Sequence, residues 1–318
     1  MNDLCMIRLK SELDKIVTFI NDKDDVIYVD YPLHHNVGDL LIYQGAIAFL
    51  KDKGVRIKSY CSTADVNINN LKKIATENTT FICHGGGNFG DIYPIHQQLR
   101  ENIILSFPQN RIIVLPQTSH FSNNDSLEKT VNVFNKHRDI ILFARDKQTL
   151  ETFKMLSPKS FLCPDMAHYL YNSFKVSAKN KKTLYFLRVD KEVNSTQLSL
   201  NIPSSDTPID WCDIITRKDK IFRRIIEIIL KSSNVMNSKA LKDLSAYLWI
   251  SHSGQLAKRS GFYFSSFDKV ITSRMHGHIL SCLVDTRNEL IDNSYGKNSG
   301  YYSQWTKDVD CASILNNQ

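Results

Sequence analysis

Thr79-Thr80-Phe81-Ile82-Cys83-His84-Gly85-Gly86-Gly87-Asn88-Phe89-Gly90-Asp91 is the stretch on which the fold turns. Its first five residues are the short β-branched and apolar run of a buried strand. The glycines that follow remove every large side chain at the point where the strand ends. In an open parallel sheet that point is where ligands bind, at the carboxyl ends of the strands. Working outward in both directions, apolar runs alternate with helical patterns. Val26-Ile27-Tyr28-Val29, Val55 to Tyr60, Arg111-Ile112-Ile113-Val114-Leu115, Ile140 to Ala144 and Ser160 to Cys163 read as strands. Between them, Leu40 to Lys53, Asp65 to Ala75, Gln97 to Phe107 (with Pro94 in its first turn) and Ser126 to His137 read as helices. Strands alternating with helices of this length mean βαβ units and a mostly parallel sheet.

Ser177 to Lys182 is polar and basic, which suits a linker. Beyond it a second α/β unit opens with Thr183 to Leu187. It continues through helices at Ile221 to Lys231 and Lys239 to Trp249, the strand Lys269 to Thr272, a helix from His278 to Val284 and the strand Glu289-Leu290-Ile291. The expected fold is therefore α/β, with two Rossmann-like doubly wound domains, residues 1–176 and 177–318, facing a cleft.

The 318 residues are 42% hydrophobic and 23% charged, enough for a sizeable core and unlike a disordered chain. Forty Lys and Arg against 33 Asp and Glu give a net charge of +7, which suits an anionic ligand or surface. That excess is too diffuse for nucleic acid, which calls for a concentrated basic face. The N-terminal residues lack the apolar core of a signal peptide, and no run approaches the ~18 apolar residues of a membrane span. Seven scattered cysteines, odd in number and without a Cys-x-x-Cys pair, read as reduced and buried thiols, so a cytoplasmic protein is expected.

Gly85, Gly87 and Gly90 fit the dinucleotide fingerprint, but the next strand ends Leu115-Pro116-Gln117 without the acid that holds a ribose. No G-x-S-x-G elbow and no Gly-Lys-Ser/Thr accompanies the glycines, which speaks against a hydrolase or a P-loop. What remains is a side-chain-free loop whose N–H groups can approach a ligand, or simply a tight turn. Arg274 and His276, in Ser273-Arg274-Met275-His276-Gly277-His278, follow a strand and lead into a helix, so both are expected at the cleft mouth. Arginine there suits bidentate capture of carboxylate or phosphate, unless a nearby acid already holds it. His278 lies within the helix and reads as structural. Arg145 occupies the equivalent strand end of the first half, with Asp146 as its obvious partner. Arg188 opens the second half in the same way, and Lys297, between Gly296 and Asn298, could reach a phosphate. Neither His34 with His35 nor His276 with His278 has an acid or cysteine at ligand spacing, so no metal is expected. The run Arg217, Lys218, Lys220, Arg223, Arg224 precedes Ile225-Ile226 and Ile228-Ile229. A helix with a solvated basic face is the simpler reading; an amphipathic helix on an anionic membrane is the other.

Four segments together, Asn36-Val37-Gly38-Asp39, His84 to Asp91, Ala144-Arg145-Asp146 and Ser273-Arg274-Met275-His276, resemble the polysaccharide pyruvyl transferase family over roughly residues 30 to 300. The resemblance implies a GT-B-like fold. It also implies transfer of a pyruvyl group from phosphoenolpyruvate to two hydroxyls of a sugar acceptor, lipid-linked or free, leaving an acidic ketal. No cofactor is implied beyond the donor substrate. On that reading Arg274 and Arg145 grip the donor's two anionic groups, with Lys297 or Arg188 assisting. His276 is the acid/base, and because a helix N-terminus works against an imidazolium, it calls for a neighbouring anion. Asp39 orients or deprotonates the acceptor hydroxyl, or caps the helix beginning at Leu40. Asn36, Gly38, Gly85, Gly86, Gly87 and Asn88 make room for donor or acceptor. Two rivals stand beside it: a GT-B glycosyltransferase with Asp292 or Glu289 on a nucleotide ribose, and a non-catalytic binder of acidic ligands.

Overall fold

The computed structural model describes residues 3–189, 195–292 and 296–315. Seven strands form the first sheet: β1 (Val26–Val29), β2 (Ile57–Cys61), β3 (Thr80–Cys83), β4 (Gly86–Gly90), β5 (Arg111–His120), β6 (Ile140–Ala144) and β7 (Ser160–Leu162). Their order is β2-β1-β3-β5-β6-β7, with β4 paired to β5, and every pairing is parallel. Strand order reverses between β1 and β3, which opens a crevice beyond their carboxyl ends. The second sheet is also all parallel, in the order β11-β10-β9-β8: β8 (Thr183–Phe186), β9 (Lys269–Thr272), β10 (Arg287–Leu290) and β11 (Ala312–Ile314).

The central strands β1, β3 and β6 of the first sheet are buried along their whole length because both faces are covered, as parallel sheets require. Ile27, Val29, Phe81, Ile112 and Val114 point into one core with Leu99, Ile103 and Phe153. Tyr28, Ile82, Ile113, Ile141 and Phe143 point into the other. That second core does not stop at the sheet. It runs on without a break through the helix Val37–Asp52 to Leu184, Phe186 and Val270 of the second sheet. The helix Lys239–Ser265 crosses the same seam, where Gln44 Nε2 donates to Ile250 O at 2.9 Å and to Ser253 Oγ at 2.8 Å.

Two local readings change. Gly86–Gly90 is not a loop but β4, its backbone hydrogen-bonded to the far end of β5. The helix after β9 begins at Met275, so His276 lies in its first turn, with Arg274 as the residue before it. Five of the seven cysteines are buried as expected, whereas Cys212 is exposed and Cys311 half-buried.

Candidate functional site

The carboxyl ends of β1, β3, β5, β6, β8 and β9 face one cleft of about 1210 Å³. Of the residues singled out from the sequence, Asn36, Asp39, Gly85, Gly87, Asn88, Arg145, Arg188, Arg274, His276 and Lys297 line it. Gly38 and Gly86 do not. Gly38 stands behind His276 instead: a Cβ there would come within 2.9 Å of His276 Nδ1. Gly86 has φ 120°, so it serves the backbone path into β4 rather than the space in the cleft.

His276 Nε2 lies 3.3 Å from Asp165 Oδ2. The same oxygen accepts from Arg145 Nη1 at 2.5 Å, and Asp165 Oδ1 accepts the Ala167 N–H at 2.9 Å. Asp165 is fully buried; burial by itself would raise its carboxyl, but the positive charges of His276 and Arg145 overcome that and hold it well below the usual carboxylate range. Here is the anion that an imidazolium at a helix N-terminus needs. Arg145 therefore pairs with Asp165, not with Asp146. It is itself 1% exposed, and its Nε and Nη2 donate to Thr118 Oγ1 at 3.2 and 3.1 Å. Asp146 instead caps the helix Lys147–Leu156 through the Thr149 N–H.

Lys297 comes from the far wall. A Cβ added at Gly87 would stand 2.8 Å from Lys297 Nζ and 3.4 Å from Arg145 Nη2, so two cations converge on this one glycine. Gly87 has no alternative that would leave that space open. Arg274 also reaches the cleft and, like Arg145, is held by an acid. Its Nε donates to Asp210 Oδ1 at 2.9 Å and its Nη2 to Asp210 Oδ2. The nearby acid weighed against anion capture is thus Asp210, at the start of the helix Trp211–Ile214.

Asn36, not Asp39, caps the helix Val37–Asp52, accepting the Gly38 N–H at 3.1 Å. Asp39 is left in the first turn facing the cleft, where its Oδ2 accepts Asn36 Nδ2 at 2.9 Å. His278 is structural: it is buried between Asn288 and Thr306, and burial pushes it down to about 4.

Several cleft residues carried no signal that we read from the sequence. Asp30, immediately after β1, holds a left-handed φ of 67° and is 4% exposed. Its carboxylate is 2.8 and 2.9 Å from His96 Nδ1, with Asn88 Nδ2 at 3.4 Å. This makes a second Asp–His pair, on the β1/β3 side of the cleft. Backbone strain in an acid at a strand end is the kind that surrounding structure maintains at functional sites. Arg100 Nη2 and Gln117 Nε2 both donate to Asn88 Oδ1, fixing it. His84 is fully buried and pushed down to about 4; Tyr28 OH meets its Nδ1 at 2.8 Å and its Nε2 has no partner among the described residues. From the C-terminal part of the chain, Tyr301 OH accepts the Asp165 N–H and meets His168 Nε2, while Trp305 Nε1 donates to Arg145 O at 2.6 Å.

A parallel α/β chain with a cationic and imidazole-bearing cleft at its strand ends is a scaffold that binds an anionic ligand at those strand ends. The polysaccharide pyruvyl transferase family matches residues 36–295, and this chain belongs to it; it is a transferase. Over 313 residues, 98% of this chain and 94% of the relative, it is 36% identical to "Putative pyruvyl transferase EpsO" of Bacillus subtilis. It is 25% identical over 308 residues, covering 88% of this chain and 69% of the relative, to "Pyruvyl transferase 1" of Schizosaccharomyces pombe. A crystal structure of an uncharacterized protein from Klebsiella pneumoniae shares the fold, with a TM-score of 0.63, 17% identity, and coverage of 97% of this chain and 99% of that one.

Proposed function

We propose that this chain transfers the pyruvyl group of phosphoenolpyruvate to two hydroxyls of one sugar in an exopolysaccharide, capsule or cell-wall glycan precursor, lipid-linked or free. We place it in the cytoplasm, with residues 1–176 and 177–318 as the two Rossmann-like domains of a GT-B arrangement. The observation that carries the reading is the unbroken contact chain from His276 through Asp165 to Arg145, meeting Lys297 over Gly87. It sets an acid/base beside two cations, and phosphoenolpyruvate brings a phosphate and a carboxylate to such a place.

In the proposed reaction His276, as imidazolium on Asp165, protonates the methylene carbon and leaves an oxocarbenium-like centre at C2. A sugar hydroxyl attacks C2 and its proton returns to the imidazole. Phosphate then leaves, and the second hydroxyl closes the ketal. Two hydroxyl protons are released in all; one ends in the new methyl group and the other departs with phosphate. Arg145 and Lys297 grip the donor. Arg274, held by Asp210, lines the rim, and Arg188 stands at the end of β8 on the same side. Asp39 and the Asp30–His96 pair face the acceptor and provide the second base.

The nucleotide-sugar alternative loses the acids it needs. Asp292 Oδ1 accepts the N–H groups of Asn298 and Ser299 at 3.1 and 3.2 Å, and Glu289 pairs with Lys269 at 2.7 Å. Neither lines the cleft. Calorimetric titration with phosphoenolpyruvate and UDP in parallel tests the proposal. Saturable phosphoenolpyruvate binding, with phosphate released only when a sugar acceptor is added, is the expected result. Binding of UDP alone would overturn it.

A further inference from the structure

The helix Arg217–Val235 divides its surface in a way the cleft does not explain. Its inner side packs Phe222, Ile226, Ile229 and Leu230 into the core. Facing outward, Ile221, Ile225 and Ile228, spaced i, i+4, i+7, are 47, 46 and 62% exposed. Lys220, Arg224 and Lys231, spaced i, i+4, i+11, run beside them as a second exposed stripe, and none of the three is in an ion pair among the described residues. The helix carries only two acids. Asp219 is buried against Arg259, and Glu227, the one partly exposed acid, lies beside the basic stripe and faces Arg223 at 3.5 Å, which leaves the cations in excess on the outer face. Val235, 88% exposed, and Met236, 68% exposed, extend the apolar stripe past the last turn.

A helix that faces only water gains nothing by sorting isoleucines and cations into separate stripes. At a lipid surface the same sorting places side-chain carbons in the acyl boundary and cations among phosphates. We propose that this helix docks on an anionic bilayer, with Ile221, Ile225 and Ile228 entering the interface and Lys220, Arg224 and Lys231 meeting the headgroups. Charge complementarity selects this occupant. A second copy joined about a two-fold axis would set the basic stripe against itself. Lys220, and Ile215 just before the helix, also line the cleft, so docking would bring the cleft mouth to the lipid surface. Membrane docking stands whether or not the transferred group is pyruvyl, since it is read without turnover.

The test is flotation of the full chain with vesicles of phosphatidylcholine alone or with about one-third phosphatidylglycerol. Two double variants, Ile225→Asp with Ile228→Asp and Arg224→Glu with Lys231→Glu, are compared at matched melting temperature. The parent chain should float with the anionic vesicles and at least about tenfold less with the neutral ones, and each variant should lose at least about tenfold. If the isoleucine variant fails to fold, the charge-reversed variant decides alone. No flotation of the parent, equal flotation on both lipids, or a parent dimer that the isoleucine variant makes monomeric without changing flotation would each overturn the proposal.

Discussion

Asp165 and His276 lie 111 residues apart, one after the last strand of the first sheet and the other after β9 of the second, and meet at 3.3 Å between Oδ2 and Nε2. The same carboxylate carries Arg145, so one buried anion orients an imidazole and a guanidinium together. Replacing Asp165 with Asn keeps the shape and removes the charge. Breaking a buried pair from one side strands the other charge, and costs about 3–5 kcal/mol. Asp165→Asn is therefore expected to lower the urea midpoint and to abolish phosphate release. A variant with the stability and turnover of the parent would show that the carboxylate does neither job.

His276 is held differently, half inside the cleft wall and in the first turn of its helix. His276→Ala should fold and still bind phosphoenolpyruvate, because the cations over Gly87 remain. Turnover should fall about 10²–10⁴-fold, the range of a lost general acid–base group. Calorimetry and phosphate release on the same sample separate the two effects. Loss of donor binding along with turnover would place His276 in the grip instead.

Much of the framework was legible because it is local. β1, β6 and β9 are short apolar runs that nothing else competes for, and their ends delivered Arg145, Arg274 and His276 to one cleft. What stayed hidden is what depends on distant segments meeting. Asp165 sits in Cys163-Pro164-Asp165, at the end of β7, an acid at a strand end that was visible as a type of position but had no partner in view. Asp210, which holds Arg274, lies in an irregular stretch with no periodicity to anchor it. Gly86–Gly90 was misread because glycines have poor strand propensity; the edge of β5 supplies the hydrogen bonds that override it.

Gly87 and Gly38 offer a sharper separation of roles. At Gly87 an added Cβ meets Lys297 Nζ at 2.8 Å, the mobile end of a long side chain that can swing away. Gly87→Ala should thus fold normally and weaken phosphoenolpyruvate binding. At Gly38 the Cβ meets the His276 ring at 2.9 Å, so Gly38→Ala should lower kcat more than it raises KM. Gly45 is the control: its Cβ would lie 2.0 Å from Met166 O, backbone that cannot yield, and Gly45→Ala should unfold the chain. Steady-state kinetics and melting temperatures of the three variants read this directly. A Gly87→Ala protein with unchanged donor affinity would remove Lys297 from the grip.

Stability should fall between neutral and mildly acid pH, and the cause is buried histidines: burial lowers His35, His137 and His252, and it acts most strongly on three others. Burial pushes His84, His168 and His278 from 6.5 down to about 4. At pH 5 they are neutral in the folded chain and largely protonated once unfolded, so the unfolded state binds more protons. A depressed pKa gives stability that is complete above the unfolded value of 6.5 and is lost as pH falls toward about 4. The carboxylates that the fold depresses, Asp25, Asp91, Asp139, Asp165 and Asp219, begin to lose their contribution only below about pH 5, as their unfolded value of 3.8 is approached, and leave most of this window to the histidines. Urea midpoints measured from pH 8 to pH 4.5 should be level above about 7 and then decline, with unfolding near pH 5 taking up at least about three protons. A midpoint that stays level down to pH 5 would mean that these imidazoles are charged in the folded chain.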